Sequence, residues 1–217
     1  MHYFIVFSFI ALILIPTSNG FAYSDYITNF VEVKKEHWPN APLPHFMCGQ
    51  IEQESGWRKN AKLSTKRELG RGLAQITIAY DKTGRERFNT YKDAIKMKEL
   101  KNWDYKNDPY NVDYQLTYLI LKDKANYSQL ENLFMSPVDT WAATLVAYNA
   151  GMGTVIKRRN KAKLEGKNYD KWFGGLDSIR IKGESSILYG RSLGSMRNEY
   201  PDIIINKRSW KYVDVCR

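Results

Sequence analysis

The stretch "LPHFMCGQIEQESGW", Leu43 to Trp57, decides how the chain is read. Placed on a helix at about 100° per residue, Leu43, Met47 and Ile51 share one narrow apolar face, and Glu54 lands in its middle. Glu52 then points nearly the opposite way, toward water. The helix is predicted to begin near Pro44 and to run to about Glu54, ending before "SGW". A carboxyl set among apolar side chains at a helix end is desolvated. Burial disfavours its charged form and raises its pKa, as a general acid working near neutral pH requires. The same residues also allow a plainer outcome, in which the helix stops at Gln53 and Glu54 swings into solvent.

Upstream, residues 23–35 read as a short amphipathic helix (Tyr26, Ile27, Phe30, Val31), followed by the Pro-rich turn "HWPNAPLP". Before that lies an apolar run from Tyr3 to Ile15, then Pro16 and small polar residues, with Gly20 and Ala22 at the −3 and −1 positions of a cleavage before Tyr23. The run is short for a membrane span and has the order of a secretory signal, so residues 1–22 are predicted as a signal peptide and 23–217 as one domain. An uncleaved anchor is the alternative, because only the start amine and His2 precede the run. Export would place the protein in the periplasm or outside the cell, with no stable membrane insertion after cleavage. Cys48 and Cys216 would then meet an oxidising compartment. A disulfide between them would close almost the entire mature chain; two separate buried thiols are the other possibility.

Downstream, residues 59–77 lose helical periodicity, and Gly70 and Gly72 mark a loop. Val112, Leu116, Leu119 and Ile120 form a stripe that predicts a helix. In "SPVDTWAATLVAYNAG" Ser136 is a cap, Pro137 suits the first helical position, Asp139 completes a capping-box-like pattern and Gly151 stops the helix. The basic, Gly-punctuated "KRRNKAKLEGKNYDKWFGG" reads as a long solvated loop, and "IIIN" near the end is apolar enough to dock on the body. No strand alternation stands out. The expected fold class is mainly α, a single helical domain.

The chain of 217 residues carries a formal net charge of +10, which points to an anionic partner. Neither a metal nor a cofactor is expected: after the signal only His37 and His45 remain, with no H-E-x-x-H or Cys cluster. A cysteine nucleophile would need Cys48 with His45, three residues apart on one helix, and a disulfide would abolish it. No G-x-S-x-G elbow is present.

Two further stretches add to Glu54. In "GRGLAQIT" two glycines flank Arg71 and allow close approach of backbone to a ligand, while Gln75 offers both a donor and an acceptor. In "AYNAG" Tyr148 and Asn149 are polar tips closing an apolar face with Trp141 and Leu145. In this order, "ES" at a helix end, "GLAQ" and "AYNAG" resemble the soluble lytic transglycosylases, relatives of goose-type lysozyme, over roughly residues 44–153. The longer stretches "CGQIEQESGW…KRELGRGLAQIT" and "WFGGL…YGRS" look like the version found among phage-encoded cell-lysis enzymes.

The resemblance implies an α+β lysozyme-like domain with a substrate cleft. It implies cleavage of the MurNAc-β-1,4-GlcNAc bond of peptidoglycan glycan strands with 1,6-anhydro-MurNAc formation. A monomer is expected, and the signal sequence argues against nucleic acid as the partner. Glu54 matches the single catalytic acid/base. Ser55, Ser64, Gln75, Tyr148 and Asn149 match substrate-binding positions, the tyrosine lying near the catalytic carboxyl in the family. The family's Glu-Thr-x-x-Tyr-Val element is absent; "GSMRNEYPD" holds Glu199 and Tyr200 at the wrong spacing. Glu68, where better-known members have no acid, would pair with Arg67 or Arg71, or else be a second carboxylate favouring hydrolysis, which would make the protein a muramidase. The non-enzyme alternative is a basic wall-binding protein with Lys157, Arg158, Arg159, Lys161 and Lys163 as its footprint. Trp57, Tyr80 and Trp172 are candidates to line a sugar cleft, each also a candidate core residue.

Overall fold

The computed structural model describes residues 24–188 and 190–217. The expected signal at 1–22 and the cleavage before Tyr23 lie outside the described residues. Within these the chain forms two compact units, residues 24–122 with 211–217, and residues 123–210.

The first unit opens with α1 (Ser24–His37), which has Asp25 in its first turn and Lys34, Lys35 and His37 in its last, charges that suit the helix dipole. The next helix, α2 (His45–Ser55), ends where Gly56 adopts φ +60° and donates its N–H to the Glu52 carbonyl at 2.9 Å. Trp57 also sits at positive φ, +59°, a costly backbone for a bulky residue. Its surroundings hold it there. It is buried, its ring edge meets Phe30 and its Nε1–H donates to Tyr212 Oη at 2.9 Å. The disulfide Cys48–Cys216 joins α2 to the returning tail, both sulfurs buried. Of the two possibilities open for these cysteines, the disulfide holds.

After α2 comes an antiparallel sheet in the order β1 (Lys62–Ser64), β2 (Glu68–Arg71), β3 (Ile76–Tyr80), β4 (Glu86–Asn89). The sequence pattern marks residues 59–77 as non-helical with a glycine loop and shows no strand alternation, and the physical reason is visible. The strands hold three to five residues each. Their directly opposed, inward-facing positions include Glu68 with Ala79 and Gly70 with Thr77, none a large apolar residue, so no period-two signal emerges. A short α3 (Thr90–Ala94) follows, capped by Asn89, whose side chain accepts from the Lys92 N–H. The predicted stripe becomes α4 (Val112–Leu130), which begins in this unit and continues into the second.

The second unit is built on α5 (Pro137–Ala150), buried around nearly its whole circumference and packed against α6 (Met152–Leu164) and α7 (Leu193–Ile203). Its start is as predicted: Ser136 Oγ accepts from the Asp139 N–H at 3.1 Å and donates to Asp139 Oδ2 at 2.6 Å. Gly151, φ +83°, ends it.

The first part of the basic segment, residues 157–164, belongs to α6 and is no loop, whereas residues 165–175 form the irregular, largely exposed stretch expected. Thr154, Val155, Arg158 and Ala162 make the buried stripe of α6, and a cation in that stripe hid the helical pattern. Arg158 is fully buried, paired with Glu184 at 2.8 Å, bonded to Asn198 Oδ1 at 2.6 Å and set over the Trp172 ring. Arg197 joins the same carboxylate at 2.9 Å. Arg158 therefore drops out of the expected surface footprint. A small hairpin, β5 (Ile187–Leu188) with β6 (Arg191–Ser192), precedes α7. Pro201 lies inside α7, and a π-helical turn, Ile204–Arg208, follows directly. Ile204 and Ile205 are buried there, the expected docking of "IIIN".

Candidate active site

Glu54 occupies the last turn of α2 and is half-buried. Ser55, next to it, is fully buried, and its hydroxyl donates back to the Ile51 carbonyl at 2.9 Å. Its carbonyl in turn accepts from the backbone N–H of Arg58 at 3.2 Å and the Arg58 Nε–H at 3.1 Å. The end of α2 is thus a fixed point of the structure.

Glu52 does not point freely to water as the helical projection suggested. Its side chain keeps only 15% of its surface, because Lys211 Nζ and Tyr212 Oη each donate to its carboxylate at 2.8 Å. The projection gave the right direction; the tail, 160 residues away in sequence, occupies that direction. Glu52 is therefore engaged by the tail, while Glu54 stands half-buried at the end of the helix.

From Ser55 the chain is stitched to the glycine loop by short links. The Ala61 N–H donates to the Arg58 carbonyl at 2.9 Å, and the Ala61 carbonyl accepts from Gly72 N–H at 2.9 Å and from Gln75 Nε2 at 3.4 Å. Gln75 Nε2 also donates to the Gly72 carbonyl at 2.9 Å, and Gln75 itself adopts φ +47°. The close approach expected at the two glycines is real, but what approaches is the protein's own glutamines. A Cβ on Gly70 would stand 2.8 Å from Gln75 Oε1, and one on Gly72 would stand 2.4 Å from the Gln115 carboxamide.

Gln115 has no counterpart in the sequence reading. It is fully buried on α4, accepts from Ala74 N–H at 3.0 Å and donates to the carbonyls of Arg71 at 3.1 Å and Pro109 at 2.7 Å. A polar residue inside the Val112–Ile120 stripe was the available signal.

Ser64 ends β1 and is exposed. Glu68 is only 3% exposed and, among the described residues, makes no ion pair with Arg67 or Arg71, against the expected pairing. Burial pushes its carboxyl up to about 8, the Arg87 guanidinium opposing that rise only in part. Tyr148 and Asn149 lie in the second unit, on the last turn of α5, half-buried and buried respectively. Of the aromatic candidates, Trp57 and Trp172 are core and Tyr80 is half-buried. Among the described residues no group of three or more His, Cys, Asp or Glu side chains is placed to hold a metal ion.

Compared with known families, the chain matches the transglycosylase SLT domain over residues 33–171, a span that contains Glu54, Ser55, Ser64, Glu68, Gln75, Tyr148 and Asn149. No curated protein matches it.

Proposed function

The chain belongs to the transglycosylase SLT domain family, whose chemistry is peptidoglycan cleavage of the lytic transglycosylase kind, and from that premise we propose that Glu54 is its acid and base. The observation that carries this reading is the position of Glu54, half-buried at the fixed end of α2 within the matched span. Protonated Glu54 gives its proton to the glycosidic oxygen as the bond from the MurNAc anomeric carbon breaks. The carboxylate left behind takes the proton of the muramyl 6-hydroxyl, and that oxygen closes on the anomeric carbon. One carboxyl serves twice, unlike the two-carboxylate scheme of most glycosidases.

Gln75, its amide locked by Ala61 and Gly72, contacts the sugar through its remaining polar surface, as does the exposed Ser64; for Tyr148 and Asn149 a substrate-binding role rests on the family resemblance alone. Ser55, fully buried, acts by holding the end of α2. Glu68, 3% exposed and pushed up to about 8 by burial, lends no support to the second-carboxylate route, which needs an ionised base for water. Export by the signal at residues 1–22 fits the buried disulfide, which belongs to an oxidising compartment. The phage-like stretches support a cell-lysis role.

The test is mass spectrometry of purified peptidoglycan digested by the protein from Tyr23 onward, beside a Glu54→Gln control. Muropeptides lighter by one water, ending in anhydro-MurNAc and absent from the control, are expected. Reducing ends would make the enzyme a hydrolase, and binding without any product would leave a wall-binding protein.

A further inference from the structure

The sheet is the most basic part of the first unit. Residues 62–87 carry seven Lys and Arg, Lys62, Lys66, Arg67, Arg71, Lys82, Arg85 and Arg87, against three acids. Those acids are already engaged or enclosed: Glu68 is buried, Asp81 holds Arg85 at 3.0 Å, and Glu86 holds Lys92 at 2.8 Å. Antiparallel order puts the β1–β2 turn and the β3–β4 turn at the same end of the sheet. Tyr80 N–H donates to the Arg67 carbonyl at 2.7 Å, which ties the first turn to the strand that enters the second. Both turns are braced from within. Thr65 Oγ1 accepts from the backbone N–H groups of Arg67 and Glu68, and Asp81 Oδ1 accepts from those of Thr83 and Arg85.

Three cations therefore stand on two stiff, adjoining turns, Lys66 and Arg67 on one and Lys82 on the other. All three are exposed, and none of their side chains makes an ion pair or hydrogen bond among the described residues. Like charges crowded on rigid loops repel one another, and an anionic partner spanning both turns relieves that repulsion.

We propose that these paired hairpin tips are a docking surface for the carboxylates of the peptides that branch from peptidoglycan strands. The proposal rests on the wall-cutting reading above and deepens it: the enzyme would grip peptide-bearing glycan in preference to bare glycan. A short peptide bearing more than one carboxylate offers an anion to each of the two neighbouring turns.

The experiment is cosedimentation with isolated sacculi in the Glu54→Gln background, so that the wall stays intact, comparing the parent with Lys66→Glu/Arg67→Glu/Lys82→Glu. The charge-removing triple, with Gln at all three positions, is the second variant, and circular dichroism confirms that both fold. Affinity for peptide-bearing sacculi is expected to fall about tenfold at low salt, three exposed pairs acting together, and the difference should fade above about 0.15 M salt. Affinity for glycan stripped of its peptides by an amidase should be unchanged. Equal binding of parent and triple variants to intact sacculi overturns the proposal. So does an equal loss on stripped glycan, which would make the tips a sugar contact, or a loss that vanishes once phosphodiester polymers are extracted, which would make phosphate the ligand. Turnover that persists in Glu54→Gln sinks the catalytic assignment, and parent and variants are then compared on ice, before the wall is digested.

Discussion

Tyr212→Phe removes one oxygen that serves two partners. In the wild type Tyr212 Oη accepts from the buried Trp57 Nε1–H at 2.9 Å and donates to Glu52 Oε2 at 2.8 Å. The phenylalanine ring fills the same space, so no cavity opens and the loss is purely polar. The indole N–H is left buried without an acceptor, which costs about 1–3 kcal/mol, and a hydrogen bond to a charged group, worth about 1.5–3 kcal/mol, is gone. The Glu52 carboxylate keeps Lys211, which offsets part of this, so a net loss of about 3 kcal/mol is expected. Urea unfolding with the disulfide intact measures it, followed by tryptophan fluorescence and circular dichroism to check that the transitions coincide. With a slope of about 2 kcal/mol/M the midpoint should fall by about 1.5 M. Lys211→Ala is the internal comparison: its ammonium is half exposed, and the cost should stay under about 1 kcal/mol. A Tyr212→Phe shift no larger than that of Lys211→Ala would refute the claim that the tail holds α2 through this oxygen.

Other outcomes follow from the same structure. Cys48→Ser with Cys216→Ser opens a loop spanning a sequence separation of 168, and chain entropy alone predicts about 5 kcal/mol lost, read as a drop in denaturation midpoint that reducing agent reproduces in the wild type. Gly72→Ala combines a φ of +79° with a Cβ 2.4 Å from the Gln115 side chain, and should lower the melting temperature by more than Gly84→Ala, where φ is +83° but nothing lies near. For Glu68 the folded carboxyl binds its proton more tightly than the unfolded one, whose ordinary value is 4.5. Its contribution is therefore complete below about 4.5 and is lost as pH rises through about 8. Glu68→Gln should remove that downward slope from a plot of unfolding free energy against pH; an unchanged slope would assign it to other groups.

How far the sequence carried depended on whether a residue's partner lay nearby along the chain. Helix α5 was legible to its ends because Ser136, Pro137, Asp139 and Gly151 act within one turn of their own positions. The burial of Ile51 and Met47 followed from helical periodicity in the same way. Glu52 was misjudged because Lys211 and Tyr212 come from the other end of the chain. The sheet was missed because its inward positions hold Glu, Gly, Thr and Ala, and α6 because an arginine sits in its buried stripe. At the candidate site, the residue types and their order were readable in the sequence. The glutamine from α4 that pins the loop was not, since nothing in "VDYQLTYLI" says which backbone Gln115 will meet.

The pairing of Gly70 with Gln75 bears on how such a loop is inherited. The Gly70 backbone is not in the left-handed region, so any residue could adopt it; glycine is needed there only because the Gln75 carboxamide oxygen lies 2.8 Å from where a Cβ would be. The two positions therefore form a single unit of variation. A side chain at position 70 needs the Gln75 carboxamide to move, and that amide is held by the Ala61 and Gly72 carbonyls. Exchanging Gln75 for a smaller residue first removes this contact, whereas changing position 70 first disturbs the glutamine's hydrogen bonds.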